Sequence, residues 1–100
     1  QIPGLPETAE ALKIRTHELT NYHRRNDALF FDSVPAKKED QFLERECIVH
    51  IDEVYRGEWL LAWVSKSKTK GRYHLHIHNA PIMTDVKILA AHPIIYIKRA

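Results

Sequence analysis

The sequence predicts an α+β domain: one N-terminal amphipathic helix packed on a small antiparallel meander or partly open barrel of four to five strands. Apolar residues recur at every third or fourth position over roughly the first thirty residues, and apolar and polar residues alternate from residue 46 onward. The predicted helix does not alternate with the predicted strands. A parallel, doubly wound sheet is therefore not expected.

The predicted helix covers residues 6–30. Pro6 suits the first position of a helix, and the Glu7 carboxylate complements the positive end of the helix dipole. Pro35 ends any continuation, because proline disfavours a helical conformation in the residue before it. The apolar stripe of this helix consists of Leu5, Ala9, Leu12, Thr16, Leu19, Tyr22, Asn26 and Phe30.

The predicted antiparallel sheet covers residues 46–98. Strands are expected at residues 46–55, 59–64 and 72–78, followed by one bent strand or two short ones around Pro93, which cannot donate to a central ladder. The second strand is apolar on both faces, which is typical of the middle of a sheet. The residues expected to be nearly inaccessible are Leu12, Leu19, Val49, Ile51, Leu61, Leu75 and Ile77.

Composition is typical of a single globular domain. The chain has 100 residues, 44% of them hydrophobic, and a formal net charge of +2. Residues 1–100 are interpreted as one domain excised from a larger protein, with neighbouring domains as expected partners. Cys47 is the single cysteine and lies in an apolar run, which fits a core position and a reducing compartment, so a cytoplasmic or nuclear location is expected. No apolar stretch approaches the length of a membrane span, and no membrane partner is expected.

Three histidines, His74, His76 and His78, occupy alternate positions of the third predicted strand. Neighbouring imidazoles in such a row lie about 6.6 Å apart and can share a metal, whereas the outer pair, about 13 Å apart, needs a bent strand to do so. A zinc site would take two of the three, with a third ligand such as His50, His92 or Asp52. The alternative is the wet face of an amphipathic strand, with no cofactor.

The same stretch, Tyr-His-Leu-His-Ile-His at residues 73–78, resembles the histidine-triad signature of nucleotide hydrolases and transferases. This resemblance implies that His76 is the nucleophile that accepts a phosphoryl group, and that His74 and His78 orient or contact the phosphate. Asn79 and Ala80 stand where that signature has two hydrophobic residues.

The His-hydrophobic-His pattern also resembles the metal-binding half of rolling-circle replication nucleases and relaxases. That resemblance implies a tyrosine nucleophile on a helix, a place that Tyr22 would take. The helical stripe assigns Tyr22 to the core instead.

A basic run at residues 66–72 places four cations in seven residues at a predicted hairpin tip, between Trp63 and Tyr73. Cations of this kind contact phosphates, and an exposed aromatic ring can stack on a base. The predicted nucleic-acid-binding residues are Lys66, Lys68, Lys70, Arg72, Trp63 and Tyr73. The alternative is a solvated turn whose lysines serve solubility.

The sequence as a whole favours a non-enzymatic binding module of a larger intracellular protein that contacts DNA or RNA through the basic hairpin loop. One alternative is a phosphoryl-transfer or metal-dependent enzyme that uses His74, His76 and His78. Another is a domain for protein–protein interaction or oligomerisation, in which Trp59 and Trp63 form a contact patch.

Overall fold

The computed structural model describes residues 4–14, 23–51, 59–78 and 80–100, which form a seven-stranded antiparallel sheet. The order of the strands across the sheet is β1-β2-β7-β3-β4-β5-β6. A 3-10 turn at Glu39–Gln41 precedes the central strands. In chain order the strands are β1 (Ala9–Lys13), β2 (Ala28–Asp32), β3 (Arg45–Ile51), β4 (Trp59–Lys66), β5 (Tyr73–His76), β6 (Met83–Val86) and β7 (Ile88–Lys98).

The predicted α+β class is wrong, because the described part of the chain contains no α-helix and is nearly all β. Within the predicted helix, residues 6–30, residues 9–13 form β1 and residues 28–30 belong to β2. These two strands are paired, with Ala9 opposite Asp32. Residues 15–22, including Leu19 and Tyr22, lie outside the described residues. Nor does any described residue belong to a helix long and apolar enough to cross a membrane.

The physical reason for this error is that β1 fits two periods. Leu12 and Ile14 alternate with the exposed Lys13, which satisfies a strand, whereas the spacing of Ala9 and Leu12 also satisfies a helix. The Ala-Glu-Ala-Leu-Lys sequence of β1 consists of strong helix formers. Pairing of β1 with β2, and of β2 with β7, overrides that local preference.

The strands predicted at residues 46–55, 59–64 and 72–78 correspond to β3, β4 and β5, and residues 52–55 of the first of them lie outside the described residues. β3, β4 and β5 form an antiparallel meander, and β7 is one strand that contains Pro93. Residues up to Pro93 pair with β3, and Ile94 onward pairs with β2. Because proline has no backbone N–H to donate, the change of partner falls where the ladder is already interrupted. Strand β6 was not predicted.

The sheet buries side chains on both of its faces, in two separate clusters. The first cluster consists of Phe42, Cys47, Val49, Ile51, Ala62, Val64, Tyr73, Leu75 and Ala91. The second cluster lies on the opposite face, where the β1–β2 hairpin packs against Ile48 of β3 and Leu61 of β4 and contributes Ile14 and Leu29.

Most of the predicted core is confirmed. Val49, Ile51, Leu61 and Leu75 are buried. Leu12 and Ile77 are half-buried and pack against the edges of the second and first clusters, respectively. Leu19 lies outside the described residues.

A buried carboxylate ties the C-terminus to the turn before β2. Asp27 accepts hydrogen bonds from the backbone N–H of Arg24 at 2.9 Å and of Ala100 at 3.0 Å, and from the Arg99 guanidinium at 2.7 Å. These hydrogen bonds, with the backbone ones contributing most, lower the pKa of Asp27 to about 2. The ionised carboxylate is therefore part of the connection between the N-terminal hairpin and β7.

Candidate functional site

The basic loop between β4 and β5 is an ordered turn. Its ends are joined by a hydrogen bond from the Ser67 N–H to the Arg72 carbonyl at 3.2 Å, and Arg72 N–H donates to the Thr69 carbonyl at 3.1 Å. Gly71 has φ +78°, a conformation that glycine adopts without the steric cost of a side chain. The Ser67 side chain is buried and hydrogen-bonds the Asp85 carboxylate, which attaches the turn to β6.

The four cations of the turn are placed differently. Lys66 Nζ lies 3.1 Å from a carboxylate oxygen of Glu39, and Arg72 donates to the backbone carbonyl of Asp85 at 3.3 Å. Lys68 and Lys70 are exposed and form no ion pair with a described residue. The turn therefore holds two cations near its base and presents two others to solvent.

The two aromatic residues that flank the turn differ in exposure. Trp63 is 45% exposed, and its indole N–H donates to a carboxylate oxygen of Glu44 at 3.4 Å. Tyr73 is buried in the first cluster, with its ring edge-to-face on Phe42. Burial, followed by the hydrogen bond to Glu39, raises the pKa of Tyr73 to about 12. Of these two predicted stacking residues, only Trp63 has an accessible ring.

Glu39 joins the 3-10 turn to the base of the basic loop. One of its carboxylate oxygens accepts the Tyr73 hydroxyl at 2.6 Å, and the other lies against Lys66. These two contacts, with the tyrosine first, lower the pKa of Glu39.

A third segment reaches the same end of the sheet. Val86 is paired with Tyr73, so that Lys87, the next residue, lies beside the start of β5. We name this region the basic end and define it by five cations: Lys66, Lys68, Lys70, Arg72 and Lys87. Lys87 was not predicted, because it becomes a neighbour of the turn only through the pairing of β5 with β6.

The predicted histidine row is only partly maintained. His74 and His76 lie on one face of β5, opposite Ser65 and Trp63, and His78 lies beyond the end of the strand. His76 Nε2 is 2.9 Å from the Ser65 hydroxyl. His74 Nδ1 is buried and has no hydrogen-bond partner among the described residues. Among the described residues, no group of three or more His, Cys, Asp or Glu side chains is arranged to hold a metal ion.

Cys47 lies inside the first cluster, as expected for a core residue. Burial raises the pKa of its thiol to about 12. Because the thiolate is the nucleophilic form, a thiol in this environment is unreactive at neutral pH.

A separate cleft of about 380 Å³ opens between the β1–β2 hairpin and the sheet. His92 is buried at its wall, and its Nδ1 lies 2.8 Å from the backbone carbonyl of Asp32. The ring of His50 lies 5.6 Å from that of His92. The described residues that line the cleft are Glu10, Ala11, Leu12, Phe31, Ser33, Ile48, His50, Trp59 and His92. Sequence reasoning missed this cleft because its wall and its floor come from distant strands.

Comparisons with known proteins identify no relative of this chain: no family model, curated protein or solved structure matches it.

Proposed function

We propose that this chain is a non-enzymatic binding module that contacts single-stranded nucleic acid through the basic end. The observation that carries the proposal is the convergence of three chain segments on one ordered turn. Five cations and two carboxylates, Glu39 and Asp85, lie there, which leaves an excess of three positive charges. Such a local excess attracts a polyanion even when the net charge of the whole chain is small.

The order of the turn supports this function. The hydrogen bonds of Ser67 and Arg72 hold the backbone before any ligand arrives, so binding orders mainly the side chains of Lys68 and Lys70. Each lysine that contacts a phosphate releases a condensed counterion and thereby adds salt dependence to the affinity.

Trp63 favours a single strand over a duplex. Its ring is exposed on the strand that leads into the turn, and an unpaired base has a free face to stack on it. In a duplex the bases are already stacked on one another, so the indole would gain little. Ser65 and His76, on the same face, add hydroxyl and imidazole groups beside the ring.

The proposal is tested by fluorescence anisotropy with a short labelled oligothymidine or oligouridine strand over a series of salt concentrations. We expect Lys68→Ala/Lys70→Ala to weaken binding and to reduce the salt slope by about 1.4, because two phosphates of the single strand are then no longer neutralised. The matched control is Lys13→Ala/Lys98→Ala, which removes the same charge from exposed lysines on β1 and β7.

We expect the control to change affinity much less than the loop variant. An equal effect of both double variants would show that overall charge, and not the basic end, determines binding. No binding of the wild-type protein to either strand would refute the proposed function. Trp63→Ala is expected to weaken binding without changing the salt slope, because stacking releases no counterions.

A further inference from the structure

The cleft between the β1–β2 hairpin and the sheet is a second candidate site, and it does not depend on the proposed nucleic-acid function. It lies on the face of β3 that carries Ile48 and His50, beyond the point where Ile14 and Leu29 cover Leu61. Its volume of about 380 Å³ is within the range of pockets that bind small molecules. Its described lining includes no residue of the basic end.

The walls of the cleft are largely aromatic. Trp59, the cross-strand neighbour of His50, lines the cleft and is 42% exposed, and Phe31 lies on the opposing hairpin. The His92 ring is edge-to-face with both Phe31 and His50, at centroid distances of 5.9 and 5.6 Å. Several π faces or edges therefore surround one volume, and the negative face of an aromatic ring attracts a cation.

The described lining of the cleft carries a negative charge. Glu10 is the one charged side chain among its described lining residues when the imidazoles are neutral, and it forms no ion pair with a described residue. Behind His92, the Asp32 carboxylate accepts hydrogen bonds from the Thr8 hydroxyl and the Val34 N–H. These hydrogen bonds lower the pKa of Asp32, so a second negative charge stands near the wall. An anionic ligand is disfavoured here.

His92 adds a hydrogen-bond acceptor. Its Nδ1 faces the Asp32 carbonyl, which can only accept, so Nδ1 carries the proton. In the neutral ring Nε2 then has a lone pair, and no described residue donates to it. His92 is 8% exposed and lines the cleft. A ligand with an N–H group satisfies this acceptor, whereas a quaternary ammonium does not.

We propose that the cleft binds an organic cation with N–H donors, a primary amine or a guanidinium or amidinium group carried on an apolar body. The cation lies against the Trp59 ring and is paired with Glu10, one N–H donates to His92, and the apolar body packs between Leu12 and Ile48.

The experiment uses Trp63→Phe, which leaves Trp59 as the single tryptophan and makes its fluorescence specific for the cleft. Benzamidine and 2-phenylethylamine are the cationic probes, and 2-phenylethanol is the neutral analogue of the amine. We expect saturable fluorescence changes with both cations, and binding of the alcohol about fivefold weaker or more, because it lacks the cation–π and ion-pair contacts.

Two further variants in the same background separate the contacts. Glu10→Gln should weaken both cations about two- to fivefold, the size of a partly exposed ion pair, whereas Glu7→Gln, an exposed carboxylate outside the cleft, should not. Trp59→Ala, measured by calorimetry, should weaken them about fivefold or more. Equal affinities for amine and alcohol, equal effects of the two glutamine variants, or no saturation with either cation would each overturn the proposal. Oligonucleotide binding by Glu10→Gln made in the wild-type chain, with Trp63 present, should be unchanged, which keeps this test distinct from that of the basic end.

Discussion

The β1–β2 hairpin packs on one face of the β3–β5 meander, yet the sequence identifies the strands of the meander and not those of the hairpin. The meander pairs strands that follow one another in the chain, and β3 and β5 each alternate between apolar and polar residues. In the hairpin, β1 fits both a strand and a helix, and β2 is also paired with β7, where the His92–Asp32 hydrogen bond spans 60 residues. The difference teaches that a clear alternation identifies a strand from the sequence, whereas pairing decides the structure of a segment that fits two periods.

The largest expected effects test whether the two regions contribute equally to stability. Leu75 in the first cluster and Leu29 in the second are both fully buried. We expect Leu75→Ala and Leu29→Ala each to lower the free energy of unfolding by about 2 to 5 kcal/mol, measured by urea denaturation. Leu89→Ala, at a side chain that is 60% exposed, is the control and should stay within about 0.5 kcal/mol. If Leu29→Ala behaves like Leu89→Ala, the hairpin does not pack on the sheet.

A smaller effect concerns the carboxylate that joins the two regions. Because the pKa of Asp27 in the folded chain, about 2, lies below its ordinary value of 3.8, ionised Asp27 stabilises the fold above pH 4 or so. That contribution is lost as the pH falls toward 2. We therefore expect Asp27→Asn to lower the urea midpoint at neutral pH, and the difference from wild type to shrink between about pH 4 and about pH 2.

The control for this prediction is Asp40→Asn, which changes an exposed carboxylate without a hydrogen-bond partner among the described residues. It should leave the neutral-pH midpoint unchanged. A difference between Asp27→Asn and wild type that persists undiminished at low pH would mean that the Asp27 charge is not what stabilises the turn.

The smallest expected change in the free energy of unfolding concerns a hydrogen bond from β5 of the meander to Glu39. Tyr73→Phe removes the hydroxyl that donates to Glu39 but keeps the ring that packs on Phe42. We expect a loss of about 0.5 to 1.5 kcal/mol in the free energy of unfolding. Tyr96→Phe, at a residue that is 43% exposed, serves as the control. A neutral Tyr73→Phe would show that Glu39 needs no hydrogen bond from the core to stay beside Lys66.

The two proposed sites also differ in how far the sequence predicts them. The sequence predicts the basic turn because its four cations lie within seven residues, and it predicts Trp63 as an accessible aromatic ring on the strand before the turn. It does not predict that Tyr73 is buried, since a tyrosine that alternates with histidines suits either face of a strand. The cleft had no sequence signal, because Glu10, His50 and His92 are each ordinary in isolation and meet only through β1, β3 and β7.

By itself, the sequence determined that residues after about 45 form antiparallel strands, that β4 is central, that the ladder of the last strand is interrupted at Pro93, and that a cationic turn links β4 to β5. These features depend on alternation, on proline and glycine, and on cations that lie close together in the sequence, which are local properties. Only the tertiary structure decided that residues 9–13 and 28–32 are strands and that Lys87 joins the basic end. The reason is energetic: burial of Ile14 and Leu29 against Ile48 and Leu61 outweighs a helix preference of a few tenths of a kcal/mol per residue.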